Sequence, residues 1–320
     1  MPGRDAWDLV EEPPREPDEG EVLVRVLMLS LDPAMRGWMN DVPSYVPPVG
    51  IGEVMRAIGV GEVVASRHDK LHEGDFVTGL FGVQEYATLP GDALTPVDAD
   101  LAPLATYLNV LGMPGMTAYF GLLDIGKPRE GETVVVSGAA GAVGATVGQI
   151  AKLKGCRVVG IAGGPEKCRM LIEEFGFDAA IDYKSDDLVP ALREKCPNRV
   201  DVYFDNVGGE VLDAVLRRLA RSARIVICGA VSQYNEASMR GPSNYMALLV
   251  RRARMEGFVV FDYADRYAEA AREMAGWMAE GKLVGREDVV TGIETFPETL
   301  QKLFRGENTG KLVLQVAEAS

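Results

Sequence analysis

Glycines at three-residue spacing form the most chemically informative part of the sequence, Thr133–Gly144 (TVVVSGAAGAVG). An apolar run, Thr133–Ser137, predicts a buried strand before them, and apolar residues at helical spacing follow them. A strand, a glycine turn and a helix start together present backbone N–H groups and the positive end of a helix dipole to an anion. The candidate residues for binding a pyrophosphate are Gly141, Ala142, Val143 and Gly144. An ordinary glycine-rich turn is the alternative, because the spacing differs from the commoner G-x-G-x-x-G.

The residues after the next predicted strand, Arg157–Ala162, indicate which dinucleotide binds. In this arrangement the strand end, roughly 20 residues after the glycines, meets the adenosine ribose, and NAD-binding proteins place Asp or Glu there. This chain has Gly163 and Gly164, followed by Lys167. A charge-assisted hydrogen bond of about 1.5–3 kcal/mol from Lys167 to a 2′-phosphate favours NADPH over NADH by about one to two decades. A solvated lysine beside Glu166 is the alternative.

Composition and charge exclude some classes of function. The 320 residues predict about two domains, and 47% hydrophobic residues suffice for their cores. The net charge of −14, with no run of basic residues, argues against nucleic acid or an anionic membrane as partner. Neither a secretory signal nor a spanning helix is predicted. The cysteines show no paired spacing, which predicts a reducing compartment and a cytoplasmic location; they are Cys156, Cys168, Cys196 and Cys228.

The elements that must position these residues fall into two groups. The first third of the chain is rich in strands and turns, beginning with Glu21–Ser30. From Gly131 to about Tyr263, strands and helices alternate, which predicts a doubly wound parallel sheet of the Rossmann type. The last predicted strand of that sheet is Glu256–Phe261. We expect a Rossmann domain over residues 112–263, inserted into a β-rich catalytic domain formed by residues 1–111 and 264–320.

Several short segments, in this order, make the chain similar to a known family. It resembles the medium-chain dehydrogenase/reductases, and within them the zinc-independent prostaglandin reductases and alkenal double-bond reductases, including curcumin reductases. The segments are LSLDPAMRGWM (Leu29–Met39), LGMPGMTAYFGL (Leu111–Leu122), GAAGAVG (Gly138–Gly144), EKCRML (Glu166–Leu171), FDNVGG (Phe204–Gly209), ICGAVSQYN (Ile227–Asn235), RMEGFVV (Arg254–Val260) and GENTGK (Gly306–Lys311). The resemblance implies that the β-rich domain is GroES-like.

The resemblance also implies roles for individual residues. Lys167 matches the lysine at the 2′-phosphate, Tyr183 a tyrosine beside the adenosine, and Asn206 a loop lining the cofactor site. The loop under the nicotinamide is matched by Cys228, Gly229, Ala230, Val231 and Ser232, and the groups at the carboxamide by Phe258, Val259, Val260 and Asn308. Tyr234 matches the tyrosine proposed to bind the substrate carbonyl, and Tyr45 is a second candidate for the substrate pocket. The alternative for Tyr234 is a solvated loop tyrosine, and the alternative for Tyr45 is an aromatic residue that only packs.

Zinc chemistry, which other medium-chain dehydrogenases use, does not suit this sequence. A catalytic zinc needs three His, Cys or carboxylate ligands from the protein. The chain has only His68 and His72, both in a polar turn, and its first cysteine is Cys156. We therefore expect no metal.

The expected reaction is reduction of a C=C bond conjugated to a carbonyl by NADPH. Hydride reaches the β-carbon, and the negative charge that develops on the carbonyl oxygen needs donors already in place. Tyr234 is the first candidate, and the ribose hydroxyl of the cofactor is the second by resemblance. Water or Tyr234 then protonates the α-carbon.

The sequence leaves two alternative functions open, and the resemblance implies an oligomeric state. The alternatives are an NADPH quinone reductase of the zeta-crystallin type and an NADPH-binding protein without turnover. The resemblance implies a homodimer joined through the last strand of each Rossmann sheet. It also shows two departures: relatives usually begin about one strand before Met1, and an aromatic residue often stands where this chain has Ala34.

Overall fold

The computed structural model describes residues 2–236 and 238–319. The chain forms two compact units, one of Met1–Leu108 with Glu287–Ser320 and the other, central in the sequence, of Asn109–Arg286. Each unit is built around its own sheet and its own hydrophobic core.

The elements are numbered in chain order. The strands are β1 (Glu21–Ser30), β2 (Gly59–Ser66), β3 (Phe76–Gly79), β4 (Tyr86–Pro90), β5 (Thr95–Pro96), β6 (Thr133–Ser137), β7 (Arg157–Ala162), β8 (Ala179–Asp182), β9 (Val200–Asp205), β10 (Leu219–Ile227), β11 (Arg254–Gly257), β12 (Glu287–Thr291) and β13 (Lys311–Gln315). The α-helices are α1 (Ala34–Trp38), α2 (Met113–Phe120), α3 (Ala142–Leu153), α4 (Pro165–Glu173), α5 (Leu188–Lys195), α6 (Gly209–Leu216), α7 (Met246–Arg251), α8 (Tyr267–Ala279) and α9 (Phe296–Arg305). A π-helical turn, Gly121–Gly126, continues α2. Short 3₁₀ segments are Arg4–Ala6, Gly91–Ala93, Leu104–Leu108, Val231–Gln233, Val260–Arg266 and Ile293–Thr295.

The unit formed by both ends of the chain contains a mixed sheet in the order β12-β13-β1-β2-β3-β5, with β4 also paired to β1. Strands β12 and β13 are parallel, and the other pairs are antiparallel. Val22, Val24 and Val26 alternate along β1 and are fully buried. They form a core with Phe296 and Leu300 of α9, because alternate residues of a strand face the same side of its sheet.

The central unit contains a parallel sheet in the order β11-β10-β9-β6-β7-β8. Val134 and Val136 of β6 belong to a core with α2, α3, α4 and α8, whereas Val135 belongs to a second core with α5, α6 and α7. Helices therefore cover both faces, as expected for a doubly wound sheet. The strand order reverses between β6 and β9, so ligands of this fold bind beside the carboxyl ends of these two strands.

Two features differ from the sequence-based expectation. The last strand of the parallel sheet ends at Gly257, and Val260–Arg266 form a 3₁₀ helix rather than continuing the strand to Phe261. Residues 264–286, expected in the catalytic domain, group with the central unit. The reason is that Ala270 and Met274 of α8 are fully buried in the core beneath the parallel sheet.

Candidate cofactor and active site

The glycine turn lies at the carboxyl end of β6, beside the point where the strand order reverses. Gly138 has φ +58°, a conformation that glycine adopts at low cost. A Cβ on Gly144 would lie 2.4 Å from the carbonyl oxygen of Gly138, so only glycine allows the turn to close this tightly. The two glycines together bring the start of α3 directly against the strand end.

The first turn of α3 is the predicted pyrophosphate site. Gly141 precedes the helix in an extended conformation, and its carbonyl accepts the N–H of Ala145 at 2.9 Å. The N–H groups of Ala142, Val143 and Gly144 belong to the first helical turn, where the helix itself supplies no acceptor. This end of α3 therefore combines N–H donors with the positive end of the helix dipole, which suits a phosphate.

The candidate adenosine end lies at the carboxyl ends of β7 and β8. The Tyr183 ring lies against Gly163, where a Cβ would approach its Cε1 to 2.8 Å, and Tyr183 is 47% exposed. The N–H of Gly164 donates to Oδ1 of Asp182 at 2.7 Å, and this bond holds the pKa of Asp182 below its ordinary value. Lys167 is half-buried in the first turn of α4. The structure thus brings Lys167 and Tyr183 to neighbouring strand ends.

Asn206 follows the last residue of β9 and is bonded to the end of β6. Its side-chain amide donates to the carbonyl of Ser137 at 2.7 Å, and its backbone N–H donates to Oγ of Ser137 at 3.0 Å. This half-buried residue therefore connects the loop after β9 to the residue that opens the glycine turn.

The predicted nicotinamide loop, 228–232, is hydrogen-bonded along its length to the loop after β9. The N–H groups of Cys228 and Gly229 donate to the carbonyl of Asp205 at 2.9 and 3.1 Å. Oγ of Ser232 donates to the carbonyl of Val207 at 2.6 Å. The loop conformation therefore depends on the residues after β9 as much as on its own sequence.

Tyr234 is half-buried and its hydroxyl lies over the same loop. The N–H of Ala230 donates to Oη of Tyr234 at 3.2 Å, and a Cβ on Gly229 would lie 2.9 Å from that oxygen. An N–H donated to a hydroxyl oxygen polarises it, which strengthens the hydroxyl as a donor. The geometry suits a group that donates a hydrogen bond to a developing anion.

The segment Phe258–Val260 leaves the sheet after β11. The Phe258 ring packs edge-on against Phe204, with 6.4 Å between centroids. A Cβ on Gly121 would lie 2.5 Å from Cζ of Phe258, so this glycine provides the space for the ring. The carbonyl of Val260 accepts the hydroxyl of Tyr267 at 2.9 Å.

Tyr45 and Asn308 belong to the other unit. Tyr45 is 55% exposed and lines a small surface depression formed by residues 41–48. Asn308 donates its side-chain amide to the carbonyl of Gly310 at 2.8 Å. Their roles toward cofactor and substrate stay predictions.

Sequence reasoning did not single out Ser137, Tyr203 and Asp205 as site residues. Their side chains are fully or almost fully buried at the ends of β6 and β9, where they are joined by hydrogen bonds. A serine and an aspartate that close neighbouring parallel strands were a usable signal, because such ends meet at one edge of a sheet.

Two family models match the chain, one described as the N-terminal domain of oxidoreductase over residues 1–97 and one as zinc-binding dehydrogenase over residues 142–276. The residues present do not fit the metal that the second description implies. Within 2–236 and 238–319, no three His, Cys, Asp or Glu side chains group where they could hold an ion. The same residues include no helix long and apolar enough to cross a membrane.

Characterised relatives match nearly the whole chain. The NADPH-dependent curcumin reductase of Escherichia coli is 49% identical, over 97% of this chain and 91% of the relative. The NADP-dependent 2-alkenal reductase of Nicotiana tabacum is 44% identical, over 93% of this chain and 88% of the relative. The crystal structure of CurA from Vibrio vulnificus in complex with NADPH superposes with a TM-score of 0.93 at 46% identity, over 97% of this chain and 94% of that one. The chain therefore belongs to the medium-chain dehydrogenase/reductase family, in the zinc-independent branch of the curcumin, alkenal and prostaglandin reductases.

Proposed function

We propose that this protein is an NADPH-dependent reductase of the C=C bond of α,β-unsaturated aldehydes and ketones. The observation that carries the proposal is the 49% identity over 97% of the chain to an NADPH-dependent curcumin reductase. A glycine turn that closes on a helix N-terminus at the reversal point of the parallel sheet supports it. Relatives named 2-alkenal reductase and prostaglandin reductase support the same substrate class.

The residues of the central unit fit NADPH. The turn around Gly144 and the first turn of α3 would hold the pyrophosphate, Lys167 would contact the 2′-phosphate, and Tyr183 would lie beside the adenosine. The loops at Asn206 and 228–232, with Phe258–Val260, would hold the nicotinamide end. When bound, NADPH supplies the hydride that this chain itself cannot supply.

Tyr234 is the residue that we assign to the carbonyl end of the substrate. Negative charge develops on the carbonyl oxygen as the β-carbon gains hydride, so a hydroxyl placed there beforehand lowers the barrier. A tyrosine hydroxyl keeps its proton at neutral pH, since its ordinary pKa is about 10. Oη of Tyr234 would donate to that oxygen. The proton for the α-carbon comes from Tyr234 or from water.

The test is oxidation of NADPH, followed spectroscopically, against a panel of enals, enones and quinones. We expect turnover of enals and enones, with product identified as the saturated carbonyl compound. Turnover of quinones alone would replace the proposal by a quinone reductase. Tight NADPH binding without oxidation across the panel would indicate a binding protein instead.

We also propose a cytoplasmic homodimer that is joined through β11. This strand forms one edge of the parallel sheet, and an exposed strand edge is a ready template for pairing with a second copy. Exposed apolar side chains at α7, the helix that precedes β11 in the chain, support this: Tyr245, Met246, Leu249 and Val250 are each at least half exposed. The four cysteines are free thiols, which is the state that a reducing compartment such as the cytoplasm maintains. Light scattering of the purified protein should give twice the chain mass.

A further inference from the structure

One carboxylate at the carboxyl end of β9 accepts an unusual set of hydrogen bonds. Oδ1 of Asp205, a residue 1% exposed, accepts the hydroxyls of Ser137 and Tyr203 at 2.9 and 2.7 Å. The same oxygen accepts the backbone N–H groups of Val207 and Gly208 at 3.0 and 2.9 Å. A buried carboxylate is tolerated only when donors replace its lost water, and here four donors meet one oxygen.

These bonds join three chain segments that the cofactor site needs. Ser137 is the residue immediately before the glycine turn, and Val207 and Gly208 form the loop after β9. The backbone carbonyl of Asp205 accepts the N–H groups of Cys228 and Gly229, so the third segment is the loop under the predicted nicotinamide position. Side chain and backbone of one residue therefore bond to all three.

We infer that Asp205 is a positioning residue that fixes the glycine turn, the loop after β9 and the 228–232 loop in one mutual arrangement for NADPH. This inference rests on the proposed function for its ligand, but it concerns cofactor binding rather than the reduction step. The physical reason is preorganisation: loops already fixed in the bound arrangement lose less conformational freedom when the ligand binds. Tyr203 and Ser137 position the carboxylate, since both of their hydroxyls are fully buried against it.

The chain offers a matched control on the same strand. Asp201, near the start of β9, accepts the N–H of Thr133 at 2.9 Å, so it bridges β9 to β6 at the opposite end of the sheet from Asp205. Asp201→Asn and Asp205→Asn make the same chemical change between the same two strands. Only the second change is next to the cofactor loops.

The experiment compares Kd for NADPH, measured by calorimetry, with melting temperature in both variants. We expect Asp205→Asn to raise Kd at least about tenfold, and Asp201→Asn to leave Kd within about twofold while lowering the melting temperature. At saturating NADPH, kcat for an enone should fall less in Asp205→Asn than kcat/KM for NADPH. Equal changes of Kd in the two variants, or wild-type Kd in Asp205→Asn, would overturn the inference.

Milder variants keep the test decisive if Asp205→Asn does not fold. Tyr203→Phe and Ser137→Ala each remove one donor to Oδ1, and each should raise Kd about threefold without loss of the folded state. Wild-type affinity in both would contradict the inference. A wild-type protein that binds NADPH but reduces no enone would remove the proposed function alone, whereas one that binds no NADPH would remove both.

Discussion

Lys167 is the residue on which the choice between the two dinucleotides depends. It lies in the first turn of α4, after Gly163 and Gly164, where NAD-binding proteins carry a carboxylate. We expect Lys167→Ala to weaken NADPH binding about 10- to 100-fold and to leave NADH binding nearly unchanged, because one charge-assisted contact is lost. Calorimetric titration with both cofactors checks this.

Lys152→Ala is the control for that prediction. Lys152 lies in the last turn of α3 and pairs with Asp178 at 2.9 Å, so it carries the same charge away from the predicted phosphate. Neither cofactor affinity should change in this variant. An equal loss of NADPH and NADH affinity in Lys167→Ala would remove the lysine from recognition of the 2′-phosphate.

Tyr234 is the residue whose hydroxyl we place at the substrate carbonyl. Tyr234→Phe should lower kcat for enone reduction about 100-fold, the scale seen when one donor to a developing oxyanion is removed. Kd for NADPH should change less than about threefold. Stopped-flow measurement of the hydride step with NADPH and with its 4-deuterated form would show whether chemistry has become slower. Unchanged kcat would exclude Tyr234 from catalysis. The control is Tyr245→Phe, which removes the same hydroxyl from a residue that is 60% exposed.

At the scale of elements, the π-helical turn after α2 determines where Phe258 can lie. Gly121 opens that turn, and the ring of Phe258 occupies the volume that a Cβ would need. Gly121→Ala should displace the ring, raise KM for NADPH about tenfold and destabilise the protein by about 1–3 kcal/mol through overpacking. Denaturant unfolding and initial-rate kinetics measure the two effects.

A second glycine in a helix gives the opposite expectation. Gly276 lies within α8, and no atom comes within 4 Å of a Cβ built there. Gly276→Ala should therefore stabilise the protein by about 0.4–1 kcal/mol and leave KM unchanged. If Gly121→Ala were equally stabilising, the close packing of Phe258 would not be a constraint.

Local sequence patterns predict an element well where its structure depends on its own residues alone. Thr133–Ser137 and Arg157–Ala162 are strands with the predicted bounds, because a run of buried β-branched residues ends at glycine in each case. The strand predicted at Glu256–Phe261 is present as Arg254–Gly257, and it ends early because Phe258 packs against the core beside Gly121. The apolar face of α8 is visible in the sequence, but which core it enters is not.

The residues of the candidate site likewise differ in whether local sequence predicts them. The glycine turn and Lys167 are visible as local motifs, so their positions follow from the sequence. The bond from Ser137 to Asp205 does not follow from a local motif, because the two residues are 68 residues apart and meet only through the strand order. Resemblance to a family identified Asn206 and Tyr234 as site residues. It did not identify the groups that their side chains contact.

At the scale of the whole molecule, part of the stability against acid depends on two carboxylates in the central unit. Burial works to raise the pKa of Glu132, but the bidentate contact with Arg224 and the N–H of Arg129 outweigh it, so the pKa lies below its ordinary value. The same balance, with the N–H of Val158 and the ammonium of Lys152 as donors, lowers the pKa of Asp178. The folded protein therefore binds fewer protons at these sites than the unfolded chain does.

The sign of the pH dependence follows from that difference in bound protons. Stabilisation by a carboxylate with a lowered pKa is complete above its unfolded pKa, about 4, and is lost as the pH falls through the folded value. We expect a melting temperature that is flat from pH 8 to 6 and falls below about pH 5. Glu132→Gln should cost about 1.5–3 kcal/mol at pH 7, since it removes the charge from the hydrogen-bonded contact with Arg224, and should cost progressively less toward pH 3. Glu194→Gln removes the same charge at a side chain 72% exposed and should show neither effect. A cost for Glu132→Gln that did not shrink toward pH 3 would mean that the Arg224 contact contributes packing rather than charge.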